Sequence, residues 1–433
     1  MQVNFAERAD NHNWELDPIV RSLLDTDFYK LLMLQFIWKN FPQVQVMSEI
    51  VNRTLTVQLA AQVSVGALIE QMDHVRGLRF RRSELVWLAG NTFYGTRSIF
   101  EPGFLDWLEH DFRLSAYDVA EVEGRLVIRF SGLWSEVTMW EVYALSLVNE
   151  MRTRFALGQL SELELDVLYA RAKTRLWDKI ERLRAVPEVR MSDFGTRRRH
   201  SFLWQEYAVK AMRVSLGESF TGTSNTFLAY KHDLEAIGTN AHELPMTLAA
   251  LADTDEELRF AQYRVLELWQ QSYGGSLLIL LPDTFGTTQF LRGAPAWVAD
   301  WTGQRIDSKD PFAAGDEYIA WLESRGRDPK KKLLIASDGL DVDDILRLHE
   351  YFKGRIRFSA GWGTLLTNDF RGCHPRGETT LDPISLVCKL MTVNGRPAVK
   401  LSDNPRKSTG PIEEIVRYRT VFGSELDERL VVV

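Results

Sequence analysis

The stretch DFGTRRRHSFLWQEYAVKAMRVSLGESFTGTSNT, residues 193–226, contains the pattern that decides the fold. A polar, glycine-containing segment at 193–197 is followed by a helix-like run over 201–214. A second polar segment, 221–225, follows that run. A strand, a helix and a strand in this order predict parallel strands that are joined by a crossover.

The same alternation continues through residues 185–372. Further polar or glycine-rich strand ends stand at 238–243, 282–284, 305–308, 337–339 and 361–364, and further helix-like stretches at 256–271, 316–325 and 342–352. About seven such units predict an α/β protein with an irregular TIM-like (β/α) barrel, whose site lies at the carboxyl ends of the strands. A doubly wound parallel sheet gives a similar pattern, and periodicity alone does not separate the two.

The segment before this region mixes helices and strands. Thr26 is predicted to cap a helix that runs through Trp38, and residues 135–156 read as one long helix. Between them, alternating apolar residues around Glu123-Gly124 predict a β-hairpin.

The segment after it also departs from the barrel pattern. Asn394-Gly395 stands between two alternating runs, which is a strong hairpin signal. We therefore predict an α/β open-sandwich domain formed by residues 1–145 and completed by 383–433. The barrel is predicted over 146–382.

Composition excludes several classes of protein. The 433 residues include 52 Lys and Arg against 59 Asp and Glu, a formal net charge of −7, so the basic field of a general nucleic-acid binder is missing. Two cysteines exclude a disulfide scaffold and a Cys₄ zinc site and indicate a reducing compartment. No signal peptide is recognisable over 1–18, and the longest apolar run, 277–282, is too short to span a membrane. We expect a cytoplasmic protein that contacts neither nucleic acid nor membrane.

The predicted strand ends carry charged residues of both signs. They are Arg197, Arg198, Arg199 and Arg305, with Asp193, Asp283, Asp307 and Asp338. Glycine-rich backbone and arginine forks bind phosphate, and carboxylates bind Mg²⁺ or ribose hydroxyls. The residues alone therefore predict a phosphorylated sugar or nucleotide as substrate.

His242 is the most informative single residue. It stands in GTNAHE at 238–243, at a predicted strand end beside Glu243. A histidine there can act as acid, base, ligand or nucleophile, although most lone histidines are surface or core residues. A nucleotide-binding P-loop is excluded, because the chain has no G-x₄-G-K-[ST].

Taken together, the motifs resemble the nicotinate phosphoribosyltransferase family along nearly the whole chain. The segments that carry the resemblance are DTDFYKLLM (25–33), DFGTRRRHSF (193–202), TGTSNT (221–226), GTNAHE (238–243), LPDTFGTTQFL (281–291), RIDSKDP (305–311), ASDGLDVDDI (336–345), SAGWGTLLTND (359–369) and VNGRPAVKLSDNPRK (393–407). The resemblance implies that nicotinate, phosphoribosyl pyrophosphate and ATP give nicotinate mononucleotide, pyrophosphate, ADP and phosphate, with Mg²⁺ as cofactor. It also implies a homodimer with shared active sites.

The resemblance assigns catalytic roles to four residues. His242 matches the histidine that ATP phosphorylates transiently, and Glu243 is placed to orient it. Asp283 and Asp307 match carboxylates near the ribose and the metal. Which aspartate binds the metal stays open, with Asp338 as a third candidate.

The resemblance implies an aromatic slot and one arginine for nicotinate, and a second arginine for the sugar phosphate. Phe194 and Tyr29 match the rings on either side of the pyridine, with the tyrosine supplied by the second subunit. Arg305 matches the arginine near the nicotinate carboxylate, and Arg197 a ligand of the sugar phosphate. Ser224 stands where nicotinamide-using relatives have an aspartate, so a neutral hydroxyl favours nicotinate.

Four further residues match phosphate ligands. Gly361 and Gly363 match a loop that binds the 5′-phosphate through its backbone, and Lys400 and Lys407 match ligands of pyrophosphate or ATP. Lys309 departs from the family pattern, which has glycine there, and a lysine with positive φ at this position would be strained.

Two alternative functions remain open on the sequence. One is a related transferase that acts on nicotinamide or quinolinate. The other is a binder of pyridine nucleotides that keeps the fold without catalysis.

Overall fold

The computed structural model describes residues 18–423 and contains a five-stranded antiparallel sheet. Its order is β13-β12-β1-β5-β4. The strands are β1 (Gln45–Asn52), β4 (Tyr117–Val122), β5 (Arg125–Leu133), β12 (Leu386–Val393) and β13 (Arg396–Pro397). A short separate ribbon pairs β2 (Thr92–Phe93) with β3 (Thr96–Arg97). The prediction that residues 1–18 contain no signal peptide falls almost wholly outside the described residues.

Both predicted hairpin turns are confirmed. Asn394 (φ 47°) and Gly395 (φ 78°) join β12 to β13, and Glu123 (φ 51°) and Gly124 (φ 74°) join β4 to β5. Two successive positive φ values match the right-handed twist of the flanking strands. The strand β12 pairs with β1, so the C-terminal segment completes the sheet of the N-terminal segment.

A second sheet contains six parallel strands in the order β7-β6-β11-β10-β9-β8. The strands are β6 (Met191–Asp193), β7 (Phe220–Thr223), β8 (Ile279–Leu280), β9 (Gly303–Ile306), β10 (Leu333–Ala336) and β11 (Arg357–Trp362). The mixed α/β class and the parallel strands of the central region are thus confirmed. Closure of this sheet into a barrel stays a prediction, as do the domain boundaries.

Helices alternate with these strands along the chain. Those up to the first parallel strand are α1 (Phe28–Asn40), α2 (Val65–Gly77), α3 (Arg82–Gly90), α4 (Pro102–His110), α5 (Trp134–Val137), α6 (Trp140–Leu157) and α7 (Glu162–Arg184). The later ones are α8 (Phe202–Leu216), α9 (Thr226–His232), α10 (Glu243–Leu251), α11 (Asp255–Ser272), α12 (Thr287–Gly293), α13 (Pro311–Ser324), α14 (Val342–Phe352), α15 (Thr364–Thr367) and α16 (Ile412–Phe422). Within the described residues, no helix is long and apolar enough to cross a membrane.

Two helix predictions need correction. The N-cap of α1 is Asp27 rather than Thr26, because Asp27 has an extended backbone directly before the first helical residue. The Asp27 side chain does not cap the helix and instead accepts from the Ser224 hydroxyl. The predicted helix over 135–156 is two helices, α5 and α6, since the chain interrupts regular helix at residues 138–139. Ser201, in contrast, caps α8 by accepting from the backbone N–H of Trp204.

Candidate active site

The carboxyl ends of the parallel strands open into a cavity of about 1130 Å³. Residues after β6, β7, β9, β10 and β11 line it, together with residues of the antiparallel sheet and of the C-terminal segment. Parallel strands place their carboxyl ends at one edge, so side chains from distant motifs meet there. All the site residues predicted from sequence except Asp283 line the cavity directly, and Asp283 lies 3.5 Å from His242.

His242 directly precedes α10 and is held through both ring nitrogens. Its Nδ1 lies 2.9 Å from the Thr284 hydroxyl, and its Nε2 lies 3.0 Å from Asp307 Oδ2 and 3.5 Å from Asp283 Oδ1. A carboxylate only accepts hydrogen bonds, so Asp307 fixes the proton on Nε2, and the Asp283 carboxylate lies close to the same nitrogen. The lone pair is therefore on Nδ1, which faces the hydroxyl.

The electrostatic surroundings keep this imidazole neutral. Burial lowers the pKa of His242, and the Lys400 ammonium adds to this effect, while Asp283 opposes it. Burial alone would raise the pKa of Asp307, but the hydrogen bond from His242 and the nearby cations Arg305 and Lys400 hold it well below its usual value. A neutral imidazole beside an ionised carboxylate is the state that a nucleophilic histidine requires.

Glu243 does not orient His242 as expected. One of its carboxylate oxygens accepts from the Trp134 indole at 2.6 Å, and the other accepts from the Lys30 ammonium at 2.8 Å. Adjacent residues at a helix start point about 100° apart around the axis, and Glu243 is directed toward α1 and α5. Thr284, Asp283 and Asp307 hold His242 instead.

The two aromatic residues line the cavity from one chain. Phe194 follows β6, and its ring lies against Gly361, where an added β-carbon would be 2.3 Å from Phe194 Cε2. Tyr29 is on α1, and an added β-carbon on Gly238 would be 2.7 Å from its backbone nitrogen. Tyr29 of the same chain thus lines the cavity, and the supply of a tyrosine by a second subunit stays a prediction from the resemblance.

Arg197 and Ser224 both contact Asp27, an aspartate that the sequence analysis did not assign to the site. Arg197 lies 3.0 Å from Glu141 and 3.7 Å from Asp27, and the Ser224 hydroxyl donates to Asp27 at 2.7 Å. Ser224 is thus neutral, but a carboxyl group stands directly behind it. Burial raises the pKa of Asp27, although Arg197 opposes the shift.

The remaining predicted residues converge on the same space. Arg305 donates to the Asn240 carbonyl at 3.3 Å, and Lys407 donates to the Asp307 carbonyl at 2.9 Å and to Asp338 at 2.5 Å. Burial lowers the pKa of Lys400, which stands near Asp283 and Asp307. Gly361 lies within β11, Gly363 directly follows that strand, and both line the cavity.

Known proteins share this sequence pattern and architecture. The family model of the nicotinate phosphoribosyltransferase (NAPRTase) family matches residues 189–426, and that of its N-terminal domain matches 24–149. The chain belongs to the nicotinate phosphoribosyltransferase family.

Solved structures of this family cover almost the whole chain. A nicotinate phosphoribosyltransferase from Porphyromonas gingivalis is 30% identical, with a TM-score of 0.82 and coverage of 94% of this chain and 100% of that one. One from Vibrio cholerae is 31% identical, with a TM-score of 0.85 and 95% coverage of each chain. A putative one from Saccharomyces cerevisiae is 28% identical, with a TM-score of 0.81 and coverage of 94% and 99%. The chain is thus an enzyme of the nicotinate phosphoribosyltransferase type.

Lys309, where this nicotinate phosphoribosyltransferase departs from the family pattern, is not strained. It is absent from the residues with positive φ, and its ammonium bonds Thr288 at 3.1 Å and Glu317 at 2.6 Å. A lysine is therefore accommodated at this position.

Sequence reasoning missed a set of charged residues in the nicotinate phosphoribosyltransferase site. They are Asp27, Lys30, Arg53, Glu141 and Lys389. Within residues 18–423, neither Arg53 nor Lys389 forms an ion pair, so both add positive charge to the cavity. Two of the set, Asp27 and Lys30, flank Tyr29 in a quoted motif, which was the available signal; Arg53 and Lys389 become visible only through the β1–β12 pairing.

Two carboxylates of the site suit Mg²⁺. One ligand atom from each of His242, Asp283 and Asp307 lies within 4.8 Å of the others. Asp283 Oδ1 is buried and has no hydrogen-bond partner among the described residues. Because Mg²⁺ prefers oxygen ligands and keeps several waters, Asp283 and Asp307 fit it better than the imidazole does.

Proposed function

We propose that this nicotinate phosphoribosyltransferase couples phosphoribosyl transfer to ATP hydrolysis through a transient phosphohistidine at His242. One observation carries the proposal: a buried, neutral imidazole keeps its lone pair on Nδ1, beside the Thr284 hydroxyl, while Asp307 fixes the proton on its other nitrogen. The orienting carboxylate and the activated nucleophile follow the logic of covalent catalysis.

The first step phosphorylates the histidine. The lone pair of Nδ1 attacks the γ-phosphorus of ATP, a P–N bond forms, and the bridging P–O bond to the β-phosphate breaks, so ADP leaves with the electron pair. The proton stays on Nε2, where Asp307 stabilises the resulting cationic ring. The phosphoryl group replaces Thr284 as the neighbour of Nδ1.

The second step joins the pyridine to the ribose. The ring nitrogen of nicotinate attacks the anomeric carbon, the C–O bond to pyrophosphate breaks, and pyrophosphate leaves with its electrons. Water then hydrolyses the P–N bond, so phosphate is released and the neutral imidazole returns. Orientation of the partners and stabilisation of separated charge supply the acceleration.

The other residues take roles that agree with their positions. Phe194 and Tyr29 flank the pyridine, and Arg305 faces its carboxylate with a planar fork. The groups that bind phosphate are Arg197, Lys400, Lys407 and the backbone at Gly361 and Gly363. Arg53 and Lys389 add positive charge to the same surface. Asp283 and Asp307 would hold Mg²⁺, which neutralises the charge of pyrophosphate when bound.

A labelling experiment tests the histidine. The protein incubated with γ-labelled ATP should carry acid-labile label, His242→Asn should carry none, and the exposed His110→Asn should label like the native protein. Absence of label in the native protein would remove the phosphohistidine step.

Nicotinate is the proposed pyridine substrate, in preference to nicotinamide or quinolinate. Arg305 provides a cation for a carboxylate, and Ser224 is neutral although Asp27 lies behind it. Competition kinetics with the three pyridines decides this. Nicotinamide used as well as nicotinate would contradict the assignment.

A closed barrel of about seven units over 146–382, beside a domain of 1–145 and 383–433, is the proposed architecture. Thr223 forms a parallel bridge with Ala236, and the Asn240 side-chain amide donates to the Ile279 carbonyl at 3.0 Å. Both contacts support segment 236–240 as the piece between β7 and β8. A homodimer, a cytoplasmic location and the lack of nucleic-acid partners stay predictions.

A further inference from the structure

A buried lysine lies between two parts of the site. The Lys30 side chain on α1 has no exposed surface, and its ammonium lies 2.7 Å from Glu141 and 2.8 Å from Glu243. It also donates to the Thr138 hydroxyl at 3.2 Å. Burial alone would lower the pKa of Lys30, but the two carboxylates raise it well above its usual value, so the side chain stays charged.

The two carboxylates serve different parts of the site. Glu141, on α6, accepts from the Tyr29 hydroxyl at 3.2 Å and from Arg197 at 3.0 Å. Glu243 directly follows His242 and begins α10. Lys30 therefore connects residues assigned to the pyridine and the sugar phosphate with the helix whose start carries the phosphorylated histidine.

A network of this kind resists small displacements. Taking three charged groups out of water is costly, and the arrangement holds only while its hydrogen bonds keep their geometry. Glu243 is fixed further by the Trp134 indole at 2.6 Å. If Glu141 shifts, the Lys30 ammonium must therefore shift with it to keep its hydrogen bonds, and Glu243 must follow the ammonium.

We propose that Lys30 is a positioning residue that couples phosphorylation of His242 to occupation of the pyridine pocket, an inference that rests on the proposed function. Nicotinate contacts Tyr29, which Glu141 holds, and Lys30 relays the resulting position of Glu141 to Glu243 and the start of α10. Since coupling of binding equilibria is reciprocal, the phosphorylated enzyme binds nicotinate more tightly by the factor with which nicotinate favours the phosphorylated state.

Two variants test the coupling. Lys30→Met keeps the length of the side chain and removes its charge, but leaves Glu243 as a carboxylate without its cation. Lys30→Met with Glu243→Gln removes that carboxylate as well, and carries the test if the single variant does not fold. Lys39→Met is the matched control, because Lys39 lies on the same helix in an exposed pair with Glu101 at 2.5 Å.

The measurements are ADP and nicotinate mononucleotide formed in the same reaction, and the KM values for nicotinate and ATP. Both Lys30 variants should still label at His242, while the ADP formed per mononucleotide and the KM for nicotinate rise about fivefold or more. The KM for ATP should stay constant, and Lys39→Met should match the native enzyme.

A folded double variant with an unchanged ADP ratio and nicotinate KM overturns the inference. A purely structural role for Lys30 would give that result, because loss of active enzyme lowers kcat alone. A native protein that forms mononucleotide without labelling at His242 would instead overturn the phosphohistidine of the proposed function.

Discussion

Gly361 shows how one missing side chain shapes the pyridine site. An added β-carbon on Gly361 would lie 2.3 Å from Phe194 Cε2 and 2.4 Å from Phe194 Cδ2. Both residues were assigned to substrate binding, but the assigned role of Gly361 was a phosphate contact through its backbone. The structure adds a packing role, because only glycine leaves room for this ring.

Gly361→Ala should therefore displace Phe194 and weaken stacking on nicotinate. We expect the KM for nicotinate to rise about two- to tenfold, which corresponds to the loss of an aromatic stacking contact. Steady-state kinetics checks this, with Gly274→Ala as control, since an added β-carbon meets nothing within 4 Å there. An unchanged nicotinate KM would contradict the packing role.

The pH dependence of phosphorylation should reflect the lowered pKa of His242. Only the neutral imidazole is nucleophilic, so labelling by ATP should be constant from alkaline pH down to about 6.5, the usual value for histidine, and fall only below it. Lys400→Met removes a cation that lowers this pKa, so the fall should move to higher pH. Single-turnover labelling at saturating ATP measures the profile.

Lys389→Met is the control for that experiment. It removes another cation from the cavity, but Lys389 is not among the groups that shift the pKa of His242. Its profile should match that of the native enzyme. A Lys400→Met profile that stays in place or moves to lower pH would contradict the electrostatic explanation.

At the scale of elements, one buried ion pair joins the start of α1 to the segment after β6. Arg199 donates to Asp25 through both terminal nitrogens, at 2.7 and 2.9 Å, and neither side chain is exposed. The Asn225 amide, at the start of α9, donates to the same carboxylate at 2.8 Å. The Asp25 carboxylate thus holds together the three segments that carry Tyr29, Arg197 and Ser224.

Asp25→Asn should be strongly destabilising, because it removes the carboxylate that binds both terminal nitrogens of the buried Arg199 and leaves only Glu150, at 3.8 Å, to balance the cation. We expect the free energy of unfolding to fall by about 3–5 kcal/mol. Denaturant unfolding checks this against the exposed Asp178→Asn, whose effect should stay within about 0.5 kcal/mol. A loss below about 1 kcal/mol for Asp25→Asn would show that the pair does not hold these segments.

At the scale of the whole molecule, one chain supplies every predicted site residue. Tyr29 on α1 and Lys400 and Lys407 in the C-terminal segment line the same cavity as Phe194 and His242. The resemblance implied that the second subunit supplies the tyrosine. The single chain brings these groups together because β12 pairs with β1.

Turnover per protomer should therefore be independent of protein concentration. A dilution series that spans any monomer–dimer equilibrium, with the oligomeric state measured in parallel, checks this. The specific activity should stay constant whether or not the protein dissociates. A fall that follows dissociation would show that a second subunit contributes to the site.

Local signals in the sequence were sufficient for much of the fold. The turns at Glu123-Gly124 and Asn394-Gly395 need positive φ, and α14 begins and ends where its apolar period and acidic cap predict. The order of strands and helices followed from periodicity, because each element must bury one face. The interruption between α5 and α6, in contrast, has no turn or breaker residue in the sequence that would predict it.

The chain by itself determined which residues gather at the strand ends, since parallel strands share one edge whatever their order. Only the tertiary structure decided what each side chain touches. Glu243 follows His242 but bonds Lys30 and Trp134, and Ser224 bonds Asp27, some 200 positions away. Hydrogen bonds and ion pairs depend on ångström distances between elements, and those distances are set by packing of the whole core rather than by neighbours in the chain.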